Sequence, residues 1–416
     1  MTTTLAPRGG LDDRPAHRDP NVLRWLGAYA SSMAGDGVYY VALSWAAVQA
    51  GSATQAGLVM SVSALPRAVL MLGGGVVADR FGPRRVVIGS DAVRCASVLA
   101  VAGLLLLTGP GLWLLAVLAL VFGTVDAVFV PAVGALPARI TEPGQLARVQ
   151  GMRGLAYRCA VIVGAPLGGL GVAVGGAAAA FGLAGLLIAV SVPLLVCVRM
   201  RELPADDTVA GRDRTAWADL LAGLRYIRRH RVLAPLVLAI ALGDFGFVGP
   251  LNVGLTLLAD ERGWGASGMG WVLAGFGVGA GLVSLLLAVR GRLPHAGQVS
   301  GYALLAGAVA IAALAFVPTL LAALAVALAV GLLAGLSGAM CGALLQTQAD
   351  PAFLGRVTAV SSLVSLGLTP LSMPLSAAAI GAWGTGPVFV VSAVVCGLGG
   401  VVALGVRDLR RAELPG

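Results

Sequence analysis

Long apolar segments alternate with short polar loops along nearly the whole chain. Twelve such segments can be placed, each close to the roughly 20 apolar residues that cross the hydrocarbon core of a bilayer. They lie at residues 22–49, 56–78, 86–107, 112–137, 150–175, 177–199, 233–258, 267–289, 299–316, 320–345, 358–382 and 387–406. The pattern predicts an all-α membrane protein with twelve transmembrane helices.

Composition supports the same class of protein. Hydrophobic residues make up 58% of the 416 positions and charged residues 11%, whereas a soluble domain is about 25% charged. The mean hydropathy is +0.93. These values exclude a soluble enzyme, a disordered chain and a disulfide scaffold. The five cysteines occur singly in apolar stretches without metal-ligand spacing, so neither a metal nor a cofactor is expected.

Arginine is distributed unevenly between the loops on the two sides. The chain has no lysine, so all 28 basic residues are arginine. The loops on one side hold Arg80, Arg84, Arg85, Arg139, Arg148, Arg290, Arg292 and Arg356. The loops on the other side hold only Arg262. Because cytoplasmic loops carry the excess of basic residues, both termini are predicted to be cytoplasmic in a multi-pass plasma-membrane protein. The net charge of +9 thus indicates orientation and not a nucleic-acid partner.

The second half of the chain repeats the first at an offset of 208 residues. The matching pairs are Gly35-Asp36 with Gly243-Asp244, residues 143–149 with 351–357, and Ala165-Pro166-Leu167 with Met373-Pro374-Leu375. The repeat predicts two parallel, pseudo-symmetric halves of six helices each. This is an architecture of transporters, which bind substrate near the midplane between the halves.

The predicted organisation has five parts. They are a cytoplasmic tail (1–21), an N-terminal half (22–199), a cytoplasmic linker (200–232), a C-terminal half (233–406) and a second cytoplasmic tail (407–416). One face of the linker's second part is apolar and consists of Trp217, Leu220, Leu221, Leu224 and Ile227. Arginines lie opposite, which predicts an amphipathic helix on the inner membrane surface. A plain linker helix is favoured over a regulatory site.

A charged motif follows the second apolar segment. It reads Gly75-Val-Val-Ala-Asp79-Arg80-Phe-Gly82-Pro83-Arg84-Arg85. This resembles the signature G-x-x-x-D-R-x-G-R-[RK] of the major facilitator superfamily, in the loop where that family carries it. The one departure is Pro83, where the family has a basic residue. The resemblance implies a cytoplasmic gate motif formed by Gly75, Asp79, Arg80, Gly82, Arg84 and Arg85. The alternative is a plain positively charged turn.

Further segments resemble the exporter branch of this superfamily that includes macrolide-efflux and enterobactin-export proteins. They lie at residues 136–137, 142–143, 164–169, 223–230 and 355–357. The fifth apolar segment contains Gly-Ala-Pro-Leu-Gly-Gly, where antiporters of the family have G-P-x-x-G-G. The antiporter-like positions here are Gly164, Pro166, Gly168 and Gly169. The resemblance implies drug:proton antiport, and the shifted Pro166 is the departure.

Ionisable residues inside the apolar segments are candidates for function, because charges in the membrane core are costly. Asp36 is 12 residues past Arg24, and Arg67 is 12 residues before Asp79. Both therefore lie about 18 Å deep at 1.5 Å per residue. Asp36 and Arg67 are predicted to form a permanent structural pair, or Asp36 takes up and releases a proton while Arg67 serves as its partner or as a substrate anchor.

Other polar positions extend this picture. Asp126 and Asp244 are near mid-depth, Arg158 is shallower, and Asp91 and Arg94 are predicted at the interface, in the first two turns of the third segment. Polar residues recur on one face of the first segment (Ser32, Asp36, Tyr40, Ser44) and of the seventh (Asp244, Asn252, Thr256). These stripes predict an aqueous cavity, although Ser and Thr also join helices by hydrogen bonds. The candidate coupling and cavity residues are Asp36, Arg67, Asp126, Asp244, Tyr40, Ser32, Asn252 and Arg158.

The predicted function is secondary active export of a small amphipathic molecule, such as an antibiotic or siderophore, by proton antiport. A proton-coupled importer of a small metabolite is the alternative within transport. A polytopic membrane enzyme or a non-transporting sensor is the alternative of another class, but the sequence has no catalytic motif such as HExxH. Expected partners are the substrate, protons and membrane lipids, and the chain is expected to be a monomer.

Cysteine labelling tests the predicted topology. A single cysteine at Asp206 should react only from the cytoplasm and one at Asp260 only from outside, because the arginine distribution places these loops on opposite faces. A variant without the five native cysteines serves as the background. Labelling of both positions by a membrane-impermeant maleimide added to intact cells would contradict the twelve-helix topology.

Overall fold

The structure is a computed structural model, and it describes residues 15–108, 111–200, 216–290, 294–350 and 353–413. These residues form helices and turns, and no strand occurs among them. The all-α class predicted from the sequence is therefore confirmed.

Long helices build the N-terminal half. They are α1 (Pro20–Ala50), α2 (Ala53–Phe81), α3 (Pro83–Thr108), α4 (Leu112–Ala135), the one-turn α5 (Pro137–Ile140) and α6 (Leu146–Val196), with a 3₁₀ turn at Pro143–Gln145. Side chains fix two of the starts. Asp19 accepts a hydrogen bond from the Asn21 amide at 2.8 Å at the start of α1, and Ser52 and Gln55 form a capping box at the start of α2. Both arrangements satisfy amides that a helix start leaves unpaired.

The helix α6 is 51 residues long but is bent back on itself. Its backbone leaves the helical region at Gly175 (φ −143°) and Gly176 (φ 67°). A positive φ is easily adopted by glycine and is strained for most other residues. The first arm (146–174) and the second arm (177–196) are therefore two spans, with the break where the sequence predicted the boundary between the fifth and sixth segments.

The C-terminal half repeats this plan. Its elements are α7 (Ala216–Arg229), α8 (Leu233–Gly249), α9 (Leu255–Glu261), α10 (Gly265–Arg290), α11 (Ala296–Leu314), α12 (Leu320–Gln348), α13 (Leu354–Trp383), α14 (Thr385–Gly405) and the one-turn α15 (Arg407–Arg410). A π-helical segment, Pro250–Gly254, joins α8 and α9 into one span. Proline lacks an amide hydrogen, which is consistent with the altered hydrogen bonding there.

Among the described residues, twelve helical spans cross from one end of the bundle to the other. Within the described residues, nine helices are long and apolar enough to span a membrane by length and composition alone. One of them contains both arms of α6 and so supplies two spans. The helices α1 and α2, of 31 and 29 residues, supply the remaining two.

The internal repeat is visible in how the helices cross. A Cβ atom added to Gly123 of α4 would lie 2.0 Å from the carbonyl oxygen of Ser63 on α2. A Cβ atom added to Gly331 of α12, 208 residues later, would lie 2.0 Å from the carbonyl oxygen of Phe276 on α10. Both crossings thus bring backbone against backbone, as small residues allow in membrane helices.

The two halves share a hydrophobic core at one end only. We call the end where α1, α3 and α8 begin the arginine-rich end. There, Trp25 belongs to a core cluster made of N-terminal residues, and Leu233 to one made of C-terminal residues. At the opposite end, Val41 of α1 packs in one cluster with Ala259 and Met269 of the other half. Among the described residues, the space between the halves is therefore closed at the opposite end and opens toward the arginine-rich end.

The helix α7 lies within the predicted linker and packs on the C-terminal half. Tyr226 stacks on Phe353 with ring centroids 4.5 Å apart, and Ile227 is buried, whereas Leu221 and Leu224 are exposed. Residues 201–215 and the side chain of Trp217 lie outside the described part of the chain. The exposed leucines agree with an amphipathic surface helix, and its position on the membrane stays a prediction.

Alanine substitutions at the two glycine crossings test the paired packing. Gly123→Ala and Gly331→Ala should each cost about 1–3 kcal/mol of stability, because the added methyl group would overlap a carbonyl oxygen. Gly134→Ala and Gly342→Ala are matched controls on the same two helices, since a Cβ atom there meets nothing within 4 Å. Thermal unfolding of the purified protein in detergent measures all four. Equal unfolding temperatures for crossing and control variants would contradict the packing.

Candidate functional site

Arg94 of α3 is fully buried and donates hydrogen bonds to three carboxylates. Its Nη1 atom lies 2.9 and 2.8 Å from the two oxygens of Asp36 and 3.1 Å from Oδ1 of Asp126. Its Nη2 atom donates to Oδ1 of Asp91 and, at 2.9 Å, to the hydroxyl of Ser32. A single guanidinium group therefore joins α1, α3 and α4.

Further contacts fix this arrangement. The hydroxyl of Ser32 donates to Oδ1 of Asp91 at 3.0 Å, and the hydroxyl of Ser191, on the second arm of α6, donates to Oδ2. The ring of Phe129 lies under the Arg94 guanidinium, with 3.9 Å from Cζ to the ring centroid. Such a cation–π contact stabilises a desolvated guanidinium.

Arg67 of α2 approaches the same group of acids from the side. Its Nη1 atom is 3.9 Å from Oδ2 of Asp126, and its side chain is 35% exposed. The hydroxyl of Tyr40 donates to the same oxygen at 3.5 Å. Asp126 is thus shared by two arginines. We call the five charged residues the ion cluster: Asp36, Asp91, Asp126, Arg67 and Arg94.

The sequence predictions for these charges were wrong in two respects. The ion-pair partner of Asp36 is Arg94 and not Arg67, and Asp91 and Arg94 are fully buried instead of interfacial. The apolar segment was placed at 86–107, but α3 already begins at Pro83. Arg94 is therefore 11 residues into the helix, about 16 Å along its axis. If depth had been counted from Pro83, the sequence would have placed Arg94 near the middle of the membrane.

A cavity of about 460 Å³ lies between the two halves. We call it the central cavity. Its charged lining residues are Asp36, Asp126, Arg67 and Arg153, and its polar lining includes Tyr40, Ser44 and Asn252. Asp36 and Tyr40 were predicted to share a polar face of the first segment, and both line this cavity. Arg94 lies behind Asp36 and Asp126 and does not line it.

The predicted residues of the C-terminal half are divided between two cavities. Asn252 lines the central cavity and donates to the carbonyl of Val248 at 2.8 Å. Asp244 lies in a different cavity, of about 520 Å³, together with Arg158 from the first arm of α6. The sequence grouped Asp244 and Arg158 with Asp36, but the structure places them apart from the ion cluster.

The gate motif forms the turn between α2 and α3. Gly82 has φ of 85°, which favours glycine and ends α2 sharply. The Nε atom of Arg84 donates to the carbonyl of Leu195 at 3.3 Å, and its Nη2 atom donates to the carbonyl of Val196. These carbonyls end α6, where helices leave acceptors unpaired and favour positive charge. Arg84 thereby fastens the α2–α3 turn to the last turn of α6.

The other members of the gate motif are less constrained. Arg80 and Arg85 are exposed on the arginine-rich end. The surroundings of Gly75 and the side chain of Asp79 lie outside the described part of the chain. The gating role implied by the family resemblance therefore stays a prediction.

The antiporter-like motif is a contact surface on the first arm of α6. A Cβ atom added to Gly164 would lie 2.8 Å from a carbonyl oxygen of α1, and one added to Gly168 would lie 3.0 Å from a Cα atom of α1. One added to Gly169 would lie 2.4 Å from a carbonyl oxygen of α10. Pro166 lies at the same crossing, 3.1 Å from a Cβ atom built on Gly270. The motif thus lets α6 contact both halves closely.

Comparison with known proteins identifies the family. Residues 25–367 match the sequence model of the Major Facilitator Superfamily. The chain belongs to this superfamily. The twelve-helix, two-half fold agrees with that membership, and the resemblance of the gate motif is confirmed at the level of the family.

Relatives of this superfamily member match it over nearly their whole length. The multidrug efflux pump Tap of Mycolicibacterium fortuitum is 28% identical over 400 residues, covering 94% of this chain and 96% of the pump. Tap of Mycobacterium tuberculosis H37Rv is 29% identical over 417 residues, with 96% of each protein covered. The chain is thus a multi-pass membrane transporter of this superfamily and not an enzyme.

Solved structures of other transporters share the fold. A D323A mutant of the nucleoside transporter NupG superposes with a TM-score of 0.73 at 11% identity, covering 93% of this chain and all of that one. A POT family transporter in complex with 5-aminolevulinic acid gives 0.70 at 12% identity, covering 97% and 98%. At such identities the likeness concerns the fold alone.

Removing the central cation tests the ion cluster. Arg94→Ala should destabilise the protein by about 3–5 kcal/mol, because three buried carboxylates lose their shared partner. Arg67→Ala is the matched control and should cost less than about 1 kcal/mol, since the half-exposed Arg67 reaches one carboxylate at 3.9 Å. Thermal unfolding in detergent measures both. Equal shifts would contradict the central position of Arg94 and favour the Asp36–Arg67 pair predicted from the sequence.

Proposed function

We propose that this protein exports small amphipathic molecules from the cytoplasm in exchange for protons. The supporting observation is the charge balance of the ion cluster. The carboxylates of Asp36, Asp91 and Asp126 lie within 4 Å of the Arg94 guanidinium group, and Asp126 also lies within 4 Å of that of Arg67. Fully ionised, the cluster carries one surplus negative charge, and one bound proton neutralises it.

An uncompensated charge at this depth is costly, and such residues commonly mark proton relays. The cluster therefore has two states that differ by one proton, and the surrounding protein can favour either. Asp36 and Asp126 are the acids that the proton can reach, because both line the central cavity. Asp91 is sealed behind them by Ser32, Ser191 and Arg94.

The position of Asp36 connects the proton to the contact between the halves. Asp36 belongs to α1, which Arg94 ties to α3 and α4. Toward its other end, α1 reaches the C-terminal half, where the amide of Gln49 donates to Asp260 at 2.9 Å. Protonation of Asp36 weakens the link between α1 and Arg94, so α1 is held less firmly in its own half while it still contacts the C-terminal half. The contact between the halves then changes, and alternating access is a rocking of one half against the other.

The open side of the central cavity fits the direction of export. The arginine-rich end is the cytoplasmic end by the positive-inside rule, and the cavity opens toward it. This is the state in which an exporter takes up its substrate. The Tap relatives are named as multidrug efflux pumps and match over nearly their full length, which supports the same direction here.

Transport into acidic proteoliposomes tests the coupling. Purified protein is reconstituted with an acidic interior, valinomycin and equal potassium hold the membrane potential at zero, and ethidium accumulation is recorded. The wild-type protein should concentrate ethidium inside. Asp36→Asn and Asp126→Asn should lose uphill accumulation by at least about tenfold but keep exchange of ethidium down its gradient, because the amide keeps the shape and cannot carry the proton.

Asp408→Asn is the control, since Asp408 is exposed on α15 beyond the last span. It should accumulate ethidium as the wild type does. Uphill accumulation by both cluster variants at the wild-type ratio of protons to ethidium would show that the cluster is structural. Absence of any movement of ethidium through the wild-type protein would refute the proposed substrate class.

A further inference from the structure

The C-terminal half contains a cavity at the place where the N-terminal half contains the ion cluster. This C-half cavity has a volume of about 520 Å³. It lies among α8, α10, α11, α12 and α14, with Arg158 of α6 contributing from the other half. It shares Phe276 with the central cavity but is otherwise lined by different residues.

The internal repeat shows how the residues at this place differ between the two halves. At the offset of 208 residues, the corresponding pairs are Asp36 with Asp244, Phe122 with Val330, Asp126 with Ala334 and Phe129 with Ser337. Counted from the starts of α3 and α11, Arg94 corresponds to Gly307. All five C-terminal counterparts line the cavity. Four large or charged side chains of the N-terminal half are thus smaller here, and one acid is kept.

In the C-terminal half, the acid at this repeat position is Asp244. Within the described part of the chain, no basic nitrogen lies within the 4.0 Å ion-pair distance of its carboxylate, although three acids share two arginines in the other half. The hydroxyl of Ser365 on α13 is a polar neighbour. Arg158 lines the same cavity without forming an ion pair with Asp244.

The rest of the wall is mostly apolar and partly aromatic. Phe247 and Phe276 have ring centroids 5.5 Å apart, and both line the cavity beside Asp244. Aromatic faces attract cations, and apolar walls favour an apolar body. A single carboxylate in such a wall recognises one positive charge, and the volume lies in the range of small-molecule sites, roughly 300–1,000 Å³.

We propose that the C-half cavity binds an organic cation with a bulky apolar body, with Asp244 as its counter-ion. The inference rests on the proposed export function and names a substrate class for it. The cation supplies the positive charge that Arg94 supplies to Asp36 in the other half. The proton then binds in the N-terminal half and the cation binds in the C-terminal half.

Arg158 gives this site a route to release. It belongs to the N-terminal half, so its distance from Asp244 changes when the halves move against each other. Arg158 carries the same charge as the ligand and competes with it for Asp244. Removing the charge of Arg158 should therefore strengthen cation binding.

Equilibrium binding of radiolabelled tetraphenylphosphonium to purified protein in detergent tests the site without a proton gradient. Asp244→Asn should weaken binding by at least about tenfold, because the cation loses its buried counter-charge. Arg158→Gln should tighten it several-fold. Excess unlabelled tetraphenylphosphonium should displace the bound label, whereas the uncharged triphenylphosphine oxide should compete at least about tenfold less well.

A filling substitution tests the location independently of charge. A Cβ atom at Gly338 meets nothing within 4 Å and the residue lines the C-half cavity, so Gly338→Leu should fold and weaken binding. Gly342→Leu, one turn further on α12, also meets nothing within 4 Å and lies outside the cavity lining. It should bind as the wild type does. Thermal unfolding confirms that each variant is folded.

The outcomes separate this inference from the proposed function. Unchanged binding in folded Asp244→Asn and Gly338→Leu would overturn the C-half site. Loss of binding in Asp36→Asn but not in Asp244→Asn would place the cation in the central cavity and also overturn it. If Asp244→Asn and Gly338→Leu weaken binding as expected but the pH gradient drives no ethidium accumulation, the cation site is supported and proton antiport is refuted.

Discussion

The burial of Arg94 constrains the whole N-terminal half. A fully buried guanidinium must be paired and hydrogen-bonded, and here three acids from α1, α3 and α4 meet that need. Asp36 and Asp126 each fix the rotation of their own helix, because a turn of a few tens of degrees would move the carboxylate out of reach of Arg94. Asp91 lies on α3 with Arg94 and is joined to α1 and α6 by the hydroxyls of Ser32 and Ser191. The relative positions of these helices therefore follow from one cation more than from apolar packing, which is not specific in a lipid environment.

The described residues of the C-terminal half follow the same helical plan but include no fully buried arginine. Its crossings depend on close backbone approach, as at Gly331, and the equivalent crossing at Gly123 shows that both halves share this feature. Glycine contacts thus hold the α2–α4 crossing and its counterpart α10–α12 in both halves, and in the N-terminal half the ion cluster also fixes α1, α3 and α4. Because no buried ion pair among the described residues fills the centre of the C-terminal half, its interior can stay open, and a cavity is found there.

The sequence predicted the fold well because apolar length, loop arginines and the 208-residue repeat each report directly on membrane crossing. It also identified Asp36 and Asp126 from the cost of charge at mid-depth. It misplaced Arg94, because the apolar segment began three residues after the helix does. The arginine partner of Asp36 could not be predicted from the sequence, for a different reason. Which arginine meets Asp36 depends on helix rotation and crossing, and depth alone cannot distinguish α2 from α3 as the source of the partner.

The separation of the two acids has a consequence for how transport would be coupled. Asp36 and Asp244 are equivalent in the repeat but lie in different cavities, so a proton at one and a cation at the other would not compete for the same carboxylate. Coupling must then pass through the contacts between halves. These contacts include the α6–α10 crossing at Gly169, the α2–α13 crossing at Gly57 and the α1–α9 link from Gln49 to Asp260. Linkage requires the effect to be reciprocal: if proton binding moves α1 and thereby weakens cation binding, cation binding must weaken proton binding by the same factor.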